Sequence, residues 1–150
     1  MAKIRFRLEV KLRLAKYALE NIQAILAQEL NTLAILMEER KQQSIQLSYA
    51  IDGQRQASLT APHYLAVWLA YVLSEQAKLR KCEEILLIQS KTVDEARAKA
   101  VEIYRELKKF ERLKEKEAMA FMDKQLRQEQ TVTDETGQIL FHRIRGEKHE

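Results

Sequence analysis

The sequence predicts an all-α fold: a long antiparallel two-helix coiled-coil hairpin with an overhanging second helix and a short C-terminal tail. Three observations predict it. The 150 residues contain three Gly and one Pro, too few breakers for the many turns of a globular core. Apolar residues recur at alternating spacings of three and four along two long stretches, which is the pattern of a coiled-coil seam. One short interruption, from Asp52 to Pro62, separates the stretches, and a short connection between two striped helices implies antiparallel neighbours.

The first helix is expected over 3–52. Its seam runs Leu8, Leu12, Ala15, Leu19, Ile22, Leu26, Glu29, Leu33, Leu36, Arg40, Gln43, Leu47 and Ala50, apolar throughout except at Glu29, Arg40 and Gln43. A second track, Leu30, Met37 and Ile51, is expected to widen the stripe on the same face. A tip loop is expected over 53–60, where Gly53 follows Asp52, with Thr60 as a candidate N-cap and Pro62 tolerated in the next first turn. The second helix is expected over 61–130, with a seam of Trp68, Val72, Glu75, Leu79, Cys82, Leu86, Gln89, Val93, Ala96, Ala100, Ile103, Leu107 and Phe110. Folding back around Ala57 sets Leu47 near Val67 and Leu8 near Glu106, leaving an overhang of roughly 30 Å at 1.5 Å per residue. Thr131, Thr133, Asp134 and Gly137 are expected to end the helix and open a tail over 131–150. The whole chain, 1–150, reads as one domain.

Composition and motifs point away from catalysis. There is no G-x-x-x-x-G-K-[ST] and no glycine-rich turn, so no phosphate cradle is expected. His63, His142 and His149 have no Cys or His at ligand spacing, so neither a metal nor any other cofactor is expected. Cys82 is the single cysteine. It lies on the seam, reads as a buried small hydrophobe and fits a reducing compartment. The longest apolar run, Tyr64 to Leu73, is too short to span a bilayer. The first ten residues alternate charge with apolar side chains and do not read as a signal peptide. A cytoplasmic protein without enzymatic activity is the expectation.

Two features exceed what a plain coiled coil needs. Between Gln42 and Ser74 only Asp52 and Arg55 are charged, although 32% of the chain is charged. Tyr49, Tyr64, Trp68 and Tyr71 fall in this window, and the run from Tyr64 to Leu73 is apolar all round the helix. One seam cannot bury all of it, so an aromatic docking surface at the tip is expected, with self-association or a small local core as the other readings. The second feature is a basic base. Lys3, Arg5, Arg7, Lys11, Arg13 and Lys16 face only Glu9, and the hairpin brings them near Arg105, Lys108, Lys109 and Arg112. Two like-charged segments brought together by the fold suit an acidic partner, although a charge run on a helix can also be a solvated face.

The opening Ile4-Arg-Phe-Arg-Leu-Glu9 followed by Leu12-Arg13-Leu14, the low-charge middle with Tyr64, Trp68 and Leu69, the run Phe110-Glu-Arg-Leu-Lys-Glu-Lys116, and Gln128-Glu129-Gln130 followed by Asp134-Glu135 and Phe141 resemble the FliJ family of the flagellar type III export apparatus. The likeness covers most of the chain in order and spacing. Ile4 stands where an aromatic is common in the family, and Thr131 where Lys often follows Glu-Gln. The resemblance implies a central stalk that binds and stimulates the hexameric flagellar export ATPase, couples it to the export gate protein FlhA, and interacts with export chaperones in an escort role. It implies a location at the cytoplasmic face of the inner membrane at the flagellar base, in service of flagellum biogenesis and motility. On that carry-over Phe6, Arg7, Leu8, Arg13, Arg112 and Lys116 serve the ATPase, and Tyr64, Trp68, Tyr71 and Val72 serve the gate. A coiled-coil holdase chaperone, or the stalk of a non-flagellar type III secretion system, has similar physics. Nucleic acid is not expected as a partner, because the aromatics and the cations fall in different parts of the hairpin and no stacking site coincides with phosphate contacts.

Overall fold

Pro62 sets the topology. It lacks a backbone donor and disfavours the helical conformation in the residue before it. Ala61 accordingly leaves the helical region, at φ −144° and ψ 68°. A computed structural model, which describes Arg7–Lys148, shows the result: two long helices, no strand among the described residues, and one short break. Helix α1 spans Glu9–Thr60, a single 3-10 turn spans Pro62–Tyr64, and helix α2 spans Leu65–Glu147. The expected all-α helical hairpin is what forms.

The boundaries differ from those read in the sequence. The expected tip loop over 53–60 is helical. Gly53 has no positive φ and therefore does not stop α1. Thr60 does not cap the next element. Its hydroxyl turns back and donates to the Gln56 carbonyl at 2.8 Å, while the 3-10 turn has no side-chain cap. The expected tail over 131–150 is helical as far as Glu147. Nothing lies within 4 Å of the position a Gly137 side chain would take, and a single Gly costs a helix only about 1 kcal/mol. The threonines join the helix by donating to the carbonyl four residues back: Thr131 to Arg127, Thr133 to Glu129 and Thr136 to Val132, each at 2.8 Å. The expected helical start over 3–6 lies outside the described residues.

The described chain divides into two compact units, one comprising Tyr17–Ile103 and the other the chain up to Lys16 with that from Tyr104 onward. In the first, Ile22, Ala50 and Ala57 of α1 and Val72, Val93 and Ala96 of α2 are buried, joined by the carboxylate side chain of Glu75. The seam residues read from spacing are buried or half-buried here, Arg40 excepted. Arg40 instead reaches sideways to Glu83 at 3.4 Å. The second track is not part of the core: Met37 is 55% exposed, and Leu30 and Ile51 lie at the margin.

Two polar layers cross the seam of this unit in the same way. Gln43 donates to the Glu75 carboxylate at 2.5 Å and to its carbonyl at 3.3 Å. Gln89 donates to the Glu29 carboxylate at 2.5 Å and to its carbonyl at 3.1 Å. Both pairs are symmetric about Leu59, whereas the sequence placed the fold-back at Ala57. Gln43 therefore meets Glu75 rather than Tyr71, a shift of one helical turn. The cause is the longer α1, which moves the turn to Ala61–Tyr64.

In the second unit Leu12 and Ala15 of α1 pack with Leu107 of α2. Glu9 opens α1, where a carboxylate suits the positive end of the helix dipole. It also pairs with Lys114 of α2 at 3.2 Å. Every residue from Met122 to Lys148 is exposed.

Candidate docking surfaces

The aromatic surface belongs to the unit of Tyr17–Ile103. Helix α2 begins directly after the 3-10 turn, so its first three turns carry the apolar run from Leu65 to Leu73. The seam takes one side of it. Val72 is 7% exposed, and Trp68 is half-buried with its ring over Gly53 of α1. Tyr71 touches the Trp68 ring edge-on, with centroids 6.0 Å apart. What remains outside is Tyr64 of the 3-10 turn, Val67 and Tyr71 of α2, and Leu59 and Tyr49 of α1, all exposed.

Of the four residues assigned to the gate, Tyr64 and Tyr71 thus lie on the surface, while Val72 is core and Trp68 is mainly a seam residue. The residues assigned to the gate leave out Val67, 66% exposed, and Leu59, 80% exposed. Helical angle already sets Val67 off the seam of Trp68 and Val72. Leu59 was hidden by the loop expected there.

The basic surface belongs to the other unit. Tyr104, Arg105, Lys108, Lys109, Arg112, Leu113 and Lys116 line a groove of about 470 Å³ on α2. A second groove, of about 600 Å³, includes Leu12 and Lys16 of α1 with Arg112 and Ala118 of α2. Arg112 lines both, and Lys116 lines the first. Arg7 is exposed in the turn before α1. Arg13 is exposed and only loosely paired with Glu9, at 4.0 Å. Leu8 is half-buried and belongs to the seam. Phe6 lies outside the described residues.

Lys108 is held more firmly than its neighbours. It donates to Glu111 at 3.1 Å and stands 5.4 Å from the centre of the Tyr104 ring. The Glu111 carboxylate raises its pKa above the ordinary lysine value. Tyr104 and Leu113 were not singled out in the sequence. The available signal was an aromatic four residues before a lysine on one helix face.

Among the described residues no group of His, Cys, Asp or Glu could hold a metal ion, and no helix is long and apolar enough to cross a membrane. Cys82 is a free thiol, half-buried on the seam. Comparison with protein families, with curated proteins and with solved structures finds no match.

Proposed function

We propose that this chain is a stalk of a flagellar type III export apparatus, which binds and stimulates the hexameric export ATPase and couples it to the export gate, with an escort role toward export chaperones. The observation that carries the reading is the cation-lined groove of Arg105, Lys109, Arg112 and Lys116 on a helical hairpin, in a chain whose motifs resemble the FliJ family. A positive groove suits the acidic wall of an ATPase ring, because charge complementarity accelerates encounter and excludes wrong partners. The uncharged side formed by Tyr64, Val67 and Tyr71 supports docking on a gate protein, since Tyr-rich apolar patches are frequent interface anchors. The cytoplasmic face of the inner membrane is the place this work would require.

Stimulation of hydrolysis is the deciding experiment. The purified chain added to a flagellar export ATPase is expected to raise its turnover, and Arg7→Glu with Arg13→Glu and Arg112→Glu is expected to remove most of the rise. A chain that leaves turnover unchanged, yet keeps an aggregation-prone export substrate in solution, would instead be a holdase.

A further inference from the structure

Four cations of α2, Arg105, Lys109, Arg112 and Lys116, follow one another at spacings of four, three and four residues. At 100° per residue they share one narrow face of the helix, turned away from the seam residues Leu107 and Phe110. No carboxylate shares that face between Glu102 and Asp123. Among the described residues none of the four takes part in an ion pair, whereas Lys108 and Lys114 beside them are both paired. Like charges at i,i+4 destabilise a helix by about 0.2–0.5 kcal/mol per pair. The ladder therefore carries like-charge repulsion that no ion pair among the described residues offsets. Two partly apolar side chains that line the groove, Tyr104 just before the first rung and Leu113 between the last two, flank the ladder on its two sides.

We infer that this face is a docking groove for an acidic α-helix of another protein, one that carries carboxylates at the same four-three-four spacing with apolar residues between them. The spacing argues for a helix. A ladder that alternates four and three residues runs along one side of the helix for roughly 16 Å, and a second helix repeats its own side chains with the same period, so ridges of one can enter grooves of the other along that length. Tyr104 and Leu113 give the partner something apolar to cover, which fits side-by-side helix packing. A membrane surface would need a broad apolar face, and this one has only two such residues. Single-stranded nucleic acid would want several stacking aromatics in the groove, and Tyr104 is alone there. The inference deepens the ATPase reading by naming the kind of element recognised, but its test does not involve an ATPase.

The probe is a labelled, helix-stabilised peptide of about 18 residues bearing Glu at positions i, i+4, i+7 and i+11 and Leu between them. A control peptide has the same composition with its Glu residues spread around the helix. The full chain is expected to bind the patterned peptide at least about tenfold more tightly, with affinity falling as salt is raised. Arg105→Glu with Lys109→Glu should abolish binding and leave far-UV helicity intact. A peptide with Lys in place of Glu should then bind the variant in which all four rungs are Glu. Equal binding of both peptides would overturn the inference in favour of unpatterned charge attraction. Tighter binding of a double-stranded oligonucleotide or of anionic vesicles would overturn it in favour of those surfaces. Absence of peptide binding overturns it outright, whatever the chain does to ATPase turnover.

Discussion

The indole of Trp68, on the second helix, lies directly over the α-carbon of Gly53 on the first. A side chain added at Gly53 would stand 2.5 and 2.6 Å from two of the ring carbons. Gly53→Ala therefore sets two effects against each other. Helix propensity favours Ala by about 1 kcal/mol, and overpacking against a rigid ring costs about 1–3 kcal/mol. Net destabilisation is expected, read as a lower denaturation midpoint with unchanged helicity. Trp68→Ala should cost roughly 2–3 kcal/mol, less than for a fully buried Trp, and Gly53→Ala should become stabilising in that background.

The two Gln–Glu layers predict a separation between stability and register. Gln43→Leu alone leaves the carboxylate of Glu75, itself 4% exposed, with Lys78 as its remaining partner, and should lower the denaturation midpoint. Replacing Gln43 and Glu75 together by Leu should be neutral or stabilising, as for other buried polar pairs exchanged for apolar ones. Polar layers in coiled coils specify register, so the double variant should lose uniqueness of pairing. Distance measurements between spin labels on the two helices would broaden in it and stay sharp in the wild type.

Acid should weaken the same layer. The hydrogen bond from Gln43, with that from Lys78, holds the Glu75 carboxyl below its ordinary value of 4.5, against the opposing effect of burial. A depressed carboxyl pKa contributes stability that is present above the unfolded value and lost as pH falls through the folded one. The melting temperature should thus drop as pH falls below about 4.5, and Glu75→Gln should flatten that part of the profile. An unchanged slope in the variant would mean that other carboxylates carry the acid sensitivity.

Surface and seam at the aromatic run should come apart under substitution. Tyr64 and Val67 are exposed, whereas Val72 is buried. Under the proposed docking on a gate protein, Tyr64→Ala with Val67→Ala should weaken that binding by about 2 kcal/mol and leave the melting temperature nearly unchanged. Val72→Ala should do the reverse, lowering stability by about 2 kcal/mol through lost buried methyl groups. Equal binding by the first variant would place the docking surface elsewhere.

The heptad spacing by itself determined which residues face the partner helix. Leu12, Ile22, Val72, Val93 and Leu107 were read from position alone and are buried, because a helix presents every third or fourth side chain to one side whatever surrounds it. The uncharged window and the basic segments were legible for the same reason: charge is written in composition and needs no fold to be seen. Register, helix ends and exposed faces were decided by tertiary structure. Sliding one striped helix past another by a turn exchanges one apolar layer for the next at little cost, so the stripe alone left Gln43 opposite Tyr71. Directional contacts that survive only one alignment, Gln43 on Glu75, Gln89 on Glu29 and Trp68 on Gly53, distinguish the true register. Gly53 looked like a turn residue because its neighbour across the seam was unknown, and only the packed ring of Trp68 explains why it is glycine inside a helix.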